Sequence, residues 1–134
     1  MAKIKSFTSL KQSKKLAEIL SFESADMYYQ YVLPKSDKIK HNPEIGNPIN
    51  ALEWYNKGYT LGGKEPIKLN EYCVPCWSLA ALLTVLPDYT LQTNTDGTVF
   101  AVCDSKKPIF SDAYDNPVDA CYEIIINLHK FNLL

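Results

Sequence analysis

The sequence contains no arginine: all fourteen basic residues are lysine. Arginine reads carboxylates, phosphates and guanine through paired hydrogen bonds from a rigid fork. Its absence argues against a sequence-specific DNA binder and against an arginine finger. Lysines, backbone amides and helix N-termini still hold anions, and an A+T-rich genome by itself favours lysine codons. Histidine is scarce, with His41 in a polar stretch and His129 near the end of a predicted helix, where a cation suits the dipole. No run of 18 apolar residues occurs, so no transmembrane helix is expected. The N-terminal "MAKIKSFTSLKQSKK" has no apolar stretch of the kind secretion signals carry, which places the protein in the cytoplasm of a bacterial host as an expectation. There is no Ser-His-Asp arrangement, no H-E-x-x-H, no P-loop and no G-x-G-x-x-G. "LGGKE" has two glycines and a lysine but neither the loop length nor the following Ser/Thr of a phosphate cradle.

What is present is an ordinary globular composition, 46% hydrophobic and 22% charged with a formal charge of −1, which excludes disorder for most of the chain. The length of 134 residues suits one domain, 1–134, with a flexible N-terminus over 1–6. A helix is predicted over Ser9–Leu20, with Leu16, Ala17, Ile19 and Leu20 on its apolar side. "SADMYYQYV" reads as a second short helix ended by Pro34. Residues 34–47 read as a long loop, functional or mobile. Asn47 and Pro48 supply cap and first residue of a third helix, and Gly58 fits its stop. "YTLGGKEPIKLNEY" reads as extended chain. The fourth helix is predicted from Pro75 to Leu86, carrying Leu79, Leu82, Leu83 and Leu86 at helical spacing. Tyr89–Thr93 and Thr98–Cys103 form a predicted hairpin turning at Asp96-Gly97, and Pro108–Phe110 a third strand. Asn116-Pro117 repeats the cap of the third helix and starts a last one, with Cys121, Ile124, Ile125 and Leu128 on its apolar stripe. The fold class expected is α+β: four or five helices packed on a small, mostly antiparallel sheet.

Several residues are candidates for chemistry. Cys73 and Cys76 have C-x-x-C spacing before the predicted fourth helix, where the dipole would lower a thiol pKa and favour redox work. Against this, the upstream chain is not the βαβ unit of a thioredoxin-like protein, and Tyr72 rather than a tryptophan precedes Cys73. Adding Cys103 and Cys121 gives four sulfurs, the number a zinc site needs, but the last two are single residues rather than a second knuckle. The simpler reading is four free cysteines used as small hydrophobes, with no cofactor. Lys3, Lys5, Lys11, Lys14 and Lys15 make a basic start that could touch nucleic acid, though the remaining chain carries no nucleic-acid signature. Asp112, Asp115 and Asp119 read as turn and first-turn acids rather than a metal site.

Aromatics are the remaining feature. Nine tyrosines and two tryptophans exceed what a core this size needs. Tyr and Trp bury area while keeping a polar tip, which suits interfaces. Tyr28, Tyr29, Tyr31, Trp54, Tyr55 and Tyr59 are the preferred ligand- or partner-binding residues. The alternatives are that half of them only pack the small helices, or that they join two copies as a homodimer.

Three segments together, "ESADMYYQ", "VPCWSLAALLTVLP" and "NPVDACYEIIINLH", resemble a family of small proteins of uncharacterised function carried by bacteriophages, prophages and mobile elements of gut anaerobes. The matching positions are Ser24 to Met27, Pro75, Trp77 to Leu79, Ala81 to Leu83, Leu86, Pro87, Asn116, Pro117, Ala120, Cys121, Ile125 and Leu128. The family has alanine at the position of Cys76, which weakens both C-x-x-C readings. The resemblance implies a scaffold and a mobile-element setting, and no activity. The expected function is therefore a non-enzymatic accessory protein that binds a host protein or small ligand, host-defence modulation being one route. A Cys-dependent zinc or redox protein and a small enzyme with an unobvious site are the alternatives. No membrane partner is expected.

Overall fold

The computed structural model describes residues 5–104 and 108–134. Within them lie five α-helices and six short strands in two three-stranded antiparallel sheets, so the α+β class holds. The three expected strands form one of these sheets, and the other is built from strands the sequence did not disclose. The chain separates into two compact units. One is Ser9–Trp77; the other joins the N-terminal segment through Thr8 to Ser78–Leu134. No helix among the described residues is long and apolar enough to cross a membrane.

The Ser9–Trp77 unit begins with α1, Leu10–Leu16. Ser9 and Gln12 form a reciprocal capping box: the Gln12 amide donates to Ser9 Oγ at 3.2 Å, and the Ser9 amide to Gln12 Oε1 at 3.0 Å. Regular helix ends at Leu16, short of the predicted Leu20, although the Leu20 amide still returns to the Leu16 carbonyl at 2.8 Å. The predicted second helix does not form. Phe22–Ser24 make one 3-10 turn, and Met27–Gln30 are a strand, β1. It pairs with β2, Glu44–Ile45, on one side and β3, Cys73–Cys76, on the other. Tyrosine favours a pleated surface, and pairing on both sides overrides the i, i+4 pattern that suggested a helix. β2 is the only strand in the predicted 34–47 loop among the described residues.

β3 corrects a second expectation. Pro75 was expected to open a helix, yet "CVPC" is a strand, buried at all four positions. Its register explains how proline is tolerated. The Tyr31 amide donates to the Tyr72 carbonyl, so bonded pairs alternate from there and Pro75, opposite Tyr28, falls at a non-bonded position. Its nitrogen, which has no proton, points away from β1 on an edge strand, where proline is allowed.

α2 spans Pro48–Leu61, capped as expected by Asn47, whose Oδ1 accepts from the Ile49 amide at 3.0 Å. Asn47 Nδ2 also donates to the Glu23 and Ala25 carbonyls, tying the helix start to the turn before β1. The predicted stop at Gly58 is wrong by one turn. The helix ends at Gly62, and Gly63 takes φ +80°, which only glycine adopts freely. α3, Leu69–Tyr72, interrupts the stretch expected to be extended.

In the second unit, α4 spans Leu79–Val85, starting at Ser78 rather than near Pro75; Ser78 Oγ accepts from the Ala81 amide. β4, Tyr89–Thr93, and β5, Val99–Cys103, form the predicted hairpin, and β6, Ile109–Phe110, completes the order β4-β5-β6. Gly97 at φ +88° supplies the left-handed residue of the turn. α5, Pro117–Lys130, is capped by Asn116 and buries Val118, Ala120, Cys121, Ile124, Ile125 and Leu128 against α4 and β5. Lys5 and Ser6 fall in the segment expected to be flexible, yet they are held. Lys5 pairs with Asp119 at 2.6 Å, and the Ser6 carbonyl accepts from the Leu79 amide. Lys3 and the rest of that segment lie outside the described residues.

Candidate functional site

The expected aromatic residues all belong to the Ser9–Trp77 unit, but they do not form one surface. Strand alternation divides them. Tyr28 lies on the face of β1 that meets α2 and α3, where it packs with Ala51, Leu52, Tyr55, Tyr59 and Leu69 around buried Ile67, Tyr72 and Cys73. Tyr72 is the hub, and the sequence did not single it out. Its ring centroid lies 6.0 Å from Tyr28 and 5.1 Å from Tyr55, and Tyr55 stacks on Tyr59 at 5.4 Å. Tyr72 donates a hydroxyl hydrogen bond to Tyr28, and burial raises the pKa of both phenols. Lys64 Nζ sits 5.2 Å above the Tyr59 ring and closes the series with a cation–π contact.

Tyr29 points to the opposite face and is buried; burial and a hydrogen bond to Cys76 push its phenol up to about 12. Tyr31 lines a small cleft of about 130 Å³ with Lys14, Ala17, Phe22, Asn70 and Pro75. Tyr29 is therefore separated from the α2 cluster by the sheet, while the Tyr31 cleft borders that cluster at Leu69 and Cys73.

Trp54 is different. It is 80% exposed, while Trp77 is fully buried with its indole N–H 3.0 Å from Ser24 Oγ. On α2, Trp54, Gly58 and Leu61 fall at i, i+4 and i+7, one exposed face, and Leu61 is 88% exposed. Ala51, Leu52, Tyr55 and Tyr59 hold the other face against the aromatic cluster. Trp54, Tyr55, Lys57, Gly58 and Tyr59 border a shallow cleft of about 530 Å³. A Cβ added at Gly58 would meet no atom within 4 Å, so no contact inside the protein requires glycine there.

A second cleft, about 670 Å³, lies in the other unit between β6 and the end of α5. Pro108, Ile109, Phe110, Phe131 and Leu133 line it, with Asn127 and Lys130 at its polar positions. Phe110 and Phe131 are both more than half exposed. The apolar "KFNLL" ending after the α5 stripe was the available signal for it.

The cysteines are free and buried. Burial pushes the Cys73 thiol up to about 12. Burial, with Cys103 nearby, does the same to Cys121, and burial and Asp104 raise Cys103. These shifts are opposite to those of a reactive thiol, and Cys73 lies in a strand, not at the helix N-terminus expected of it. Among the described residues no three of His, Cys, Asp and Glu stand together as a metal site. The aspartates act as caps and turn acids: Asn116 Nδ2 donates to Asp115 and Asp119 at 2.8 Å, and the Asp112 amide donates to Glu123 at 2.7 Å. Of the N-terminal lysines, Lys5 pairs with Asp119 and Lys15 with Glu18.

Comparison with protein-family models, with curated proteins and with solved structures finds no match to this chain.

Proposed function

We propose that this chain is a non-enzymatic binding protein that docks a protein partner on the outer face of α2, around Trp54, Gly58 and Leu61. The exposed Trp54–Leu61 stripe carries this reading. Opposite the face used by the fold, it leaves Trp54 and Leu61 exposed beside Asn50 and Lys57. An amphipathic helix that presents residues at i, i+4 and i+7 suits a groove on another protein. Trp in such a position is the residue type that dominates interface energetics. Gly58 adds support: mid-helix glycine costs about 1 kcal/mol relative to alanine, nothing within the chain requires it, and it leaves room beside Trp54 for close approach. Lys57 borders the same cleft as Trp54 and favours an acidic group on the partner there. The phage and mobile-element resemblance suggests a host protein as that partner, with modulation of host defence as one outcome.

The test is affinity capture with the wild-type chain, Trp54→Ala and Gly58→Gln in parallel. A partner retained by wild type and lost with both variants supports the proposal, because both substitutions leave the folded core intact. A partner retained equally by all three contradicts it.

The 670 Å³ cleft favours a second reading, a small amphipathic ligand held by Phe110 and Phe131 with its polar end at Lys130. Native mass spectrometry after gentle purification should then show a bound mass that Phe131→Asp removes.

A further inference from the structure

β4 is an edge strand whose open side is fully determined by the hydrogen bonds on its other side. The Asp104 amide donates to the Asp88 carbonyl, and the Asn94 amide to the Thr98 carbonyl. In the observed register the bonded pairs are therefore the even-numbered residues of β4 with their β5 partners, and Tyr89, Leu91 and Thr93 lie at non-bonded positions. β5 agrees: Ala101 turns its carbonyl and amide toward Ser111, on the β6 side, and Val99 turns both toward Tyr114. The amides and carbonyls of Tyr89, Leu91 and Thr93 thus point away from β5, and among the described residues no partner meets them. β4 is mostly exposed, with only Leu91 half-buried. It has none of the usual protections of an edge. From Tyr89 to Thr95 there is no lysine, no proline, no glycine and no charge.

We propose that β4 is the seam of a homodimer, pairing antiparallel with β4 of a second copy about a twofold axis at Leu91. The free pattern is self-complementary in that register. Leu91 faces Leu91 of the second copy, and Tyr89 faces Thr93 in both directions. Every outward donor then meets an outward acceptor, giving six bonds between the chains and one continuous six-stranded sheet. A shift by one residue would oppose inward-pointing groups to outward ones, and Pro87 limits shifts toward the N-terminal side. Charge agrees with the register. Asp88 meets the neutral Asn94 of the second copy, so no like charges are opposed. The side chains agree as well. Leu91 lies opposite fully buried Ala101, on the sheet face covered by α5, and its twin extends that apolar face across the seam. A second copy fits this edge better than an unrelated strand because its hydrogen bonds, charges and Leu91 contact all match the same axis. The seam is distinct from the α2 face proposed for partner binding.

Sedimentation equilibrium of the full chain from about 10 μM to about 1 mM tests it, a range suited to a short seam. A concentration-dependent dimer is expected. Leu91→Lys places two like charges face to face on the axis, and Thr93→Pro removes two of the six bonds while sparing the β4–β5 ladder, since that amide faces outward. Each should weaken the dimer at least tenfold, whereas Trp54→Ala should leave it unchanged. Hydrogen exchange gives a variant-free check: the Tyr89, Leu91 and Thr93 amides should be fast in dilute protein and slow in concentrated protein. A monomer throughout the range, a dimer insensitive to Leu91→Lys and Thr93→Pro, or a dimer lost in Trp54→Ala would each overturn the proposal.

Discussion

Raising the pH should unfold this protein, and its buried thiols together with the raised phenols of Tyr29, Tyr72 and Tyr114 set how steeply. Cys73 and Cys121 are held at about 12 against an ordinary value of 9.0. Both are essentially without solvent exposure. An acid whose pKa is raised by folding keeps its proton in the folded state while the unfolded chain loses it. Its contribution is therefore fully present below pH 9 and lost as the pH rises toward 12. At pH 11 the unfolded thiols are almost wholly ionised and the folded ones are not, a difference of about 2–3 kcal/mol for each thiol. Tyr29, raised from 10.0 to about 12, adds about 1 kcal/mol. The total of about 6 kcal/mol is comparable to the whole stability of a small domain. Urea unfolding in reductant at pH 7, 8, 9, 10 and 11 should show a nearly constant midpoint to pH 9 and a steep fall above it. At pH 8 an aromatic disulfide reagent should label none of the four cysteines rapidly in native protein and all four in urea. A flat midpoint to pH 11, or one fast thiol in native protein, would refute the assignment of these cysteines to the core. It would also revive a Cys-dependent activity.

Two further outcomes follow from particular side chains. Asp normally caps a helix as well as Asn, but Asn116→Asp should cost about 2–4 kcal/mol at pH 7, because it replaces two donated bonds by a carboxylate at a buried position beside exposed Asp115 and half-buried Asp119; urea midpoints should recover toward pH 4 as that carboxylate takes a proton, and Asn116→Ala should lose only about 1–2 kcal/mol. The two tryptophans should separate in fluorescence: Trp54→Phe leaves a blue-shifted emission that acrylamide barely quenches, and Trp77→Phe leaves a red-shifted, readily quenched one.

What the sequence disclosed was mostly local. Asn47-Pro48 and Asn116-Pro117 each marked a helix start because a cap needs only the next three residues. Asp96-Gly97 marked the hairpin turn for the same reason. The strands β1 and β3 were hidden because each forms by pairing with a segment more than forty residues away. Met27 to Val32 and Pro75 to Leu86 both carry helical spacing, and the sequence does not show that Pro75 will face outward on an edge. That error divided the candidate site wrongly. As a helix, "MYYQY" keeps its tyrosines near one another; as a strand it sends Tyr28 to the α2 cluster and Tyr29 to the other face. Tyr72 was passed over as the neighbour of a cysteine pair, although it joins Tyr28 to Tyr55. Gly58 was taken for a helix end, which concealed that Trp54 and Leu61 share a face. Gly62-Gly63, one turn later, was the stronger stop signal.

The partner proposed for this protein docks on the exposed face of α2 and not on its buried one. The most direct measurement is the affinity of the captured partner for the purified chain and for Trp54→Ala, by calorimetry at equal protein stability. Trp54→Ala should weaken binding at least thirtyfold, about 2 kcal/mol, with an unchanged urea midpoint. Equal affinities for the two proteins would contradict it.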